Sequence, residues 1–431
     1  MLLACGQSVI IFRAMKTAAS GLMTYKRNME IYLAQSLIVG FILALLTGCS
    51  GLPRTPLPVE DIRRAEIPGM SGVRAWGGQL NADFQADLVA SIKQEPAGVF
   101  PLDENGYPIY HGLALSGGGS NGAFGAGILN GWSKAGTRPD FKVVTGISTG
   151  ALIAPFAFLG PGYDEQLKTV YTTMRTRDIL ERLNIFRIIF QGEAFAHTTP
   201  LKQLIETHFD ADFLQAVAAA HNQGRRLYVG STHMDAQTLM VWNMGAIANS
   251  GHPDALDLFQ KIVLASSSIP AAFPPVFIKI KINNQRYDEM HTDNGTITQV
   301  FFNKNTMNLS ATTQTAKRTQ RKNYRGTLYV IRNGKLGPEP EQVKRRLPEI
   351  TGRAISTMIK YAAFNDLHRI HGNTDTAELG FRYTAIPDDF ESQADEVFDP
   401  EEMKRLFELG YEMGLSGSAW RDTPPGYLLE Q

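Results

Sequence analysis

The chain has 431 residues, enough for one large α/β domain or two ordinary ones, and its 43% apolar and 10% aromatic content excludes a disordered or fibrous chain. Lysine plus arginine and aspartate plus glutamate balance at 42 each, so no net field draws the protein to nucleic acid, and membrane contact must come from local features. The two cysteines, Cys5 and Cys49, both precede the body of the sequence, which excludes a disulfide framework and a thiolate zinc site.

Lys26 and Arg27 are followed by an apolar run over 37–46. The run is too short to cross a bilayer core of about 30 Å but suits the h-region of a signal peptide. It ends in Leu46-Thr47-Gly48-Cys49, which resembles the lipobox of bacterial lipoproteins. That resemblance implies a signal peptide over 1–48, with translation starting at Met23 or Met29 and a lipidated Cys49 as the mature first residue. It places the protein in the bacterial cell envelope, and Ser50 after the cysteine favours the outer membrane over the inner. Residues 49–75 contain Pro, Gly and Arg without an apolar period and read as a lipidated tether. Residues 76–109 read as an N-terminal cover, helical over 79–93 on the spacing of Phe84, Leu88, Val89 and Ile92. The body, 110–431, reads as one catalytic domain.

Within the body, β-rich runs at 111–115, 141–145, 227–231, 238–242, 276–282, 327–331 and 382–386 alternate with helical patterns. Such alternation predicts βαβ units and a mainly parallel sheet covered by helices on both faces. Thr199-Pro200 and Asp399-Pro400 read as capped helix starts. The polar stretch 303–325 reads as a surface insertion, and its Lys317, Arg318, Arg321 and Lys322 as a solvated loop or a contact to anionic lipid. The apolar stretch 179–190 reads as core or as an acyl-binding wall.

Three short segments carry the chemistry. Strand 111–115 runs into Ser116-Gly117-Gly118-Gly119-Ser120-Asn121-Gly122 and then a helix through Phe124, Ile128 and Trp132. Glycines there let bare N–H groups approach an anion at a helix N-terminus. Strand 141–145 runs into Gly146-Ile147-Ser148-Thr149-Gly150 and a helix over 151–159, the pattern of a nucleophile elbow. Thr292-Asp293-Asn294-Gly295 follows a strand-like segment around Arg286 and Tyr287. An aspartate on such a turn can take the proton of a neighbouring serine without a histidine, which makes Asp293 the candidate base.

Each segment has a rival reading. Gly117, Gly119 and Gly122 also fit a dinucleotide fingerprint, but the acidic residue about 20 positions on, Asp140, precedes the next strand instead of ending it. His368 and His371 lie downstream and preserve the order Ser, Asp, His of an α/β-hydrolase triad. In that architecture, however, the oxyanion glycines stand well before the elbow. Here one helix and one strand separate Gly119 from Ser148, so a single crossover brings loop and serine to adjacent strand ends.

Together these motifs, with the linking run 265–275, resemble the patatin-like phospholipase family over roughly 110–411. The resemblance implies a three-layer α/β/α patatin-like fold with a mainly parallel central sheet, and hydrolysis of fatty-acyl esters in membrane lipids without cofactor or metal. It assigns Ser148 as nucleophile, Asp293 as general base, the amides around Gly117, Gly118 and Gly119 as oxyanion hole, Gly146 and Gly150 as the elbow glycines, and Asn294 and Gly295 as the turn after the base. Two departures stand out. Asn121 replaces the family's usual Arg or Lys, so a positive charge near the loop is missing or comes from elsewhere. Asn294 replaces a glycine and is expected to keep the turn by adopting positive φ. The alternatives are a lipoprotein that binds lipid or a partner without catalysis, and an acyltransferase or thioesterase using the same dyad.

Overall fold

Side chains on the central strands alternate between two cores, and this fixes the architecture. The computed structural model describes residues 54–179, 181–182, 194, 196–302, 326–376 and 379–426. The expectations for 1–48, Cys49, 303–325 and most of 179–190 lie outside the described residues.

The strands are β1 (Arg74–Trp76), β2 (His111–Leu115), β3 (Phe141–Gly146), β4 (Glu181–Arg182), β5 (Ala196–His197), β6 (Arg226–His233), β7 (Thr238–Asn243), β8 (Val276–Ile282), β9 (Gln285–Thr292), β10 (Thr327–Arg332) and β11 (Gly380–Ala385). The helices are α1 (Ala82–Lys93), α2 (Gly122–Lys134), α3 (Thr149–Leu159), α4 (Asp164–Thr173), α5 (Thr199–His208), α6 (Ala211–Asn222), α7 (Met244–Ala248), α8 (Ala255–Ser266), α9 (Leu347–Thr376) and α10 (Pro400–Ser416). Nine strands form one sheet in the order β1-β7-β6-β3-β2-β10-β11, with the β8–β9 hairpin joined to β6 through β9. From β6 to β11 the strands run parallel. β7, β1 and β9 add antiparallel edges.

Leu113 and Leu115 of β2, Val144 of β3 and Leu227 and Val229 of β6 share a core with Ile128 of α2, Phe259 of α8 and Leu406 of α10. Ala114, Val143 and Tyr228 point the other way, toward Phe84 and Leu88 of α1 and Leu367 and Ile370 of α9. The result is a mixed α/β fold with a mostly parallel sheet between helical layers, as expected for βαβ connectivity. The chain leaves β2 toward β3 on one side, and β10 later fills the other side. The carboxyl end of β2 is therefore a topological switch point, where α/β folds form their crevices.

Two helices approach backbone to backbone at four glycines. Gly127 and Gly131 of α2 face the carbonyls of Phe407 and Tyr411, and Gly410 and Gly414 of α10 face those of Phe124 and Ile128; a β-carbon at any of the four would lie 2.0–2.4 Å from a carbonyl oxygen. Only glycine allows backbones this close.

The stretch expected to be a tether is part of the folded domain from Thr55 onward. Leu57, Ile62, Ile67, Met70 and Val73 are buried. Asp288 N–H donates to Thr55 O (2.8 Å) and Lys281 N–H to Glu66 O (3.1 Å), while β1 pairs with β7. These anchors are single residues spaced irregularly, so they carry no helical or strand period. The α5 start also differs slightly from expectation: Thr198, not Thr199, is its N-cap, and its side chain makes no capping bond. Asp399 does cap α10, accepting from Glu401 N–H (2.9 Å) and Glu402 N–H (3.4 Å).

Candidate active site

Three strand ends converge at the switch point. β3 ends at Gly146, and the chain turns through Ser148 into α3 with Ser148 at φ 55° and ψ −125°. A non-glycine residue in this region is strained and persists only where its surroundings hold it. Here the Ser148 amide donates to Ser266 Oγ (3.0 Å), which donates to Gly230 O (2.7 Å), and the Ser148 carbonyl accepts from Ala151 N–H (2.8 Å). The flanking glycines are dictated by crowding. A β-carbon on Gly146 would meet Gly150 O at 2.3 Å, and one on Gly150 would meet Leu115 O at 2.3 Å.

β9 delivers Asp293 to the same point, where its carboxyl is buried and the Ser148 side chain is among the groups that draw its pKa down. The other interactions fix its direction: Gly295 N–H donates to Asp293 Oδ1 (2.7 Å), and the Asp293 amide donates to Ser268 O (2.8 Å). Burial pushes the Asp293 carboxyl up to about 6, against the opposing pull of Ser148 and Gly295. A carboxylate so placed is a stronger proton acceptor than a solvated one.

The turn after Asp293 is built differently from expectation. Residues Asn294–Thr296 form a right-handed 3₁₀ turn capped by the Asp293 side chain, and Asn294 does not take positive φ. Its role is carried by its side chain, which accepts from Thr232 Oγ1 (3.1 Å) and donates to Thr298 O (3.5 Å). Gly295 sits close to its neighbours, since a β-carbon there would lie 2.9 Å from Gln299 Nε2 and 3.1 Å from Asp293 Oδ1.

The glycine loop after β2 passes over the serine. A β-carbon on Gly117 would stand 3.1 Å from Ser148 Cβ, which measures how closely the loop approaches. The Gly117 amide, expected as an oxyanion donor, instead donates to Gln299 O (3.0 Å). It is spent on holding the loop, which leaves the amides of Gly118 and Gly119 as the loop's candidate donors. Gly119 adopts φ +58° with open space around it, whereas a β-carbon on Gly118 would overlap Asn333 O at 2.0 Å.

The residues beneath the loop escaped the sequence reading. Arg332, at the end of β10, is buried, and its Nη1 donates to Gly117 O (2.9 Å), Ser116 Oγ (3.3 Å) and Gln299 Oε1 (3.3 Å). Burial lowers its pKa to about 10, with Asp366 and Glu339 pulling the other way, so it stays a cation at neutral pH. Asn333 donates its side-chain amide to Ser116 O (2.9 Å) and accepts from Gly125 N–H (3.1 Å). Asp366 of α9 accepts from the amides of Gln299 (2.7 Å) and Val300 (3.2 Å), fixing the segment that holds Gly117. A positive charge thus lies under the loop although Asn121 supplies none.

The two downstream histidines are committed elsewhere. His368 Nε2 lies 3.1 Å from Pro425 O, and His371 packs edge-on to Phe381, near the amino end of β11 and so at the opposite edge of the parallel sheet from Ser148. This is a correction to the triad alternative. Asp140 is exposed just ahead of β3, away from the strand's carboxyl end.

Among the described residues, His233, Glu289 and His291 lie close enough to share a metal ion. The donor set does not fit one. His233 Nδ1 accepts from Ala236 N–H (3.2 Å), so the proton of its neutral form sits on Nε2, facing Glu289 Oε1 at 3.5 Å. Arg74 straddles the same carboxylate, with Nη2 3.1 Å from Oε1 and Nη1 on Oε2. Although burial alone would raise it, Arg74, with the two histidines beside it, holds the Glu289 carboxyl well below the ordinary range. The cluster is a buried brace that ties β1 to the strand carrying Asp293.

Residues 113–300 match the model of the patatin-like phospholipase family. The matched stretch spans the glycine loop, the elbow and Asp293. No match is found among curated protein sequences. Among solved structures the chain is similar to VipD from Legionella pneumophila, at 13% identity and TM-score 0.37, covering 74% of this chain and 70% of that one. It is also similar to human GIVD cytosolic phospholipase A2, at 11% identity and TM-score 0.34, over 80% of this chain and 64% of the human one. The family supports lipid acyl hydrolase activity.

Proposed function

We propose that the protein is a serine acyl hydrolase that cleaves fatty-acyl esters of membrane lipids through Ser148 and Asp293. The observation that carries this reading is a serine held in a strained strand-to-helix turn between two crowded glycines, with the buried Asp293 carboxyl delivered to the same strand ends. Ser148 Oγ attacks the ester carbonyl as its proton passes to Asp293, and the amides of Gly118 and Gly119 receive the oxyanion. Asp293 then protonates the departing alcohol, leaving an acyl enzyme. Water gives its proton to Asp293 and its oxygen to the acyl carbon, and Asp293 returns the proton to the departing Ser148 Oγ, releasing the fatty acid and restoring the serine. The Arg332 cation, polarising the Gly117 peptide from below, adds positive potential where the negative charge develops.

The reading is tested by labelling with a fluorophosphonate and locating the adduct by mass spectrometry. Wild-type protein is expected to label at Ser148, Ser148→Ala not at all, and Asp293→Asn weakly; a folded wild type that does not label overturns it. Arg332→Met is expected to lower kcat by about 10- to 100-fold with little change in KM, since its contribution is to charge that exists only in the transition state. Steady-state kinetics on a soluble ester, alongside circular dichroism to verify folding, checks this.

We also propose that the protein is held in the cell envelope by acyl chains on Cys49, with the outer membrane as destination. The support is the lipobox-like sequence before that cysteine. Two or three chains, each contributing about 0.8 kcal/mol per buried CH₂, would make the attachment effectively permanent.

A further inference from the structure

Helix α9 is long, and only its second half is packed. Ala363, Leu367 and Ile370 are buried in the domain. Toward its amino end the pattern reverses: Leu347 (79% exposed), Ile350, Ile355, Met358 (64%) and Tyr361 (61%) all face solvent. Leu347, Ile350, Met358 and Tyr361 fall at multiples of three to four residues, with Ile355 beside them, forming one stripe on the helix. At 100° per residue this stripe lies on the side opposite Ala363, Leu367 and Ile370.

The direction of the helix places this stripe. Asp366 grips the amides of Gln299 and Val300 at the carboxyl edge of the sheet, where Ser148 stands, whereas His371 packs on Phe381 near the amino edge. The helix therefore runs antiparallel to β10 and β11. From Asp366 back to Leu347 it extends roughly 28 Å beyond the catalytic edge, at 1.5 Å per residue. Its underside is braced by the chain leaving β10: Lys360 Nζ donates to Gly337 O (2.8 Å), and Arg353 pairs with Glu341 (3.1 Å). The stripe's tip carries Lys344, Arg345 and Arg346, all exposed, with Glu349 3.9 Å from Arg346.

We propose that the first half of α9 is the surface by which the protein docks on an anionic lipid bilayer, with the apolar stripe entering the acyl boundary and Lys344, Arg345 and Arg346 meeting phosphate head groups. An apolar helix face rimmed by basic residues is the chemistry of an interfacial helix. The three cations decide the occupant, because a second copy of this chain would bring the same positive charge to the tip, while an anionic surface complements it. The proposal rests on the reading of the protein as a lipid hydrolase, and it adds which face presents the catalytic edge to the substrate.

The test uses full-chain protein carrying Cys5→Ala and Cys49→Ala, so that no acyl anchor contributes, and Ser148→Ala, so that no lipid is consumed. A polarity-sensitive fluorophore is attached at Met358→Cys or, as a control away from the stripe, at Ser356→Cys. Vesicles of phosphatidylglycerol and phosphatidylcholine are expected to shift the emission at 358 to the blue and to leave that at 356 unchanged, with a smaller shift on phosphatidylcholine alone. No shift at 358 on anionic vesicles overturns the proposal, as does a shift without lipid accompanied by a doubled mass in sedimentation. In the active protein, Leu347→Glu with Met358→Glu should lower the ratio of vesicle to soluble-ester hydrolysis roughly tenfold. An unchanged ratio overturns the proposal. Because the fluorescence is read in the Ser148→Ala background, failure of the hydrolase reading would leave that result standing.

Discussion

Asp293→Asn should abolish turnover and make the protein more stable at neutral pH. Burial raises the Asp293 carboxyl from its ordinary 3.8 to about 6, so between those values the folded state holds a proton that the unfolded state has released. Stability therefore falls as pH rises through this window, and above it the ionised carboxylate costs on the order of 3 kcal/mol relative to a solvated one. Asparagine retains an oxygen to accept from Gly295 N–H but carries no charge to bury, so the melting temperature at pH 7.5 should rise. At pH 4 the difference should shrink, because the wild-type carboxyl is then protonated in the fold. The same group must be ionised to accept the serine proton, so wild-type kcat/KM should climb through pH 6 to a plateau. Loss of the base should lower the rate by at least about 10²- to 10⁴-fold. Differential scanning calorimetry at both pH values and a pH–rate profile read these outcomes; an Asp293→Asn protein less stable than wild type at pH 7.5 would contradict the assignment.

A single methyl at Gly118 should have an effect almost as large, by a different route. A β-carbon there would stand 2.0 Å from Asn333 O, and Asn333 is itself fixed by bonds to Ser116 and Gly125. The loop must move, and with it the amides proposed to receive the oxyanion. Losing one oxyanion donor typically costs 10²- to 10³-fold, so Gly118→Ala should lose about that factor in kcat. Gly119→Ala is the internal comparison. It has open space and only an unfavourable φ of +58°, so it should cost roughly 1 kcal/mol of stability and much less activity. If both variants were equally impaired, crowding against Asn333 would not be the cause. Steady-state kinetics on a soluble ester and thermal melts separate the two.

The sheet and the meeting of the serine elbow with the Asp293 turn were legible because local sequence determines them. β2 and β8 fall where their β-rich runs predict, and β3, β6, β7 and β10 extend those runs by one to three residues. Ser148 announces itself through glycines whose absence would produce backbone overlap. What remained hidden depends on distant parts of the chain meeting. Arg332 and Asp366 read as an ordinary strand end and a helix carboxylate; their importance arises because β10 lies beside β2 and α9 lies over Gln299. β1 is three residues long and the stretch before it buries isolated side chains, so neither had a period to detect. Asn294 was expected for its backbone tolerance and instead serves through its side chain, which only the neighbouring Thr232 and Thr298 reveal.

The seam of glycines between α2 and α10 has a consequence in time. α2 begins at the end of the glycine loop and is synthesised early, yet the carbonyls against which Gly127 and Gly131 rest belong to Phe407 and Tyr411. β2 likewise waits for β10 before its second edge is paired. A nascent chain carrying the whole serine elbow and Asp293 still has a loop with nothing beneath it and a helix with a bare face. The ribosome therefore finishes Ser148 and Asp293 long before it finishes their support, and the site stays unassembled until residues 400–416 have been added.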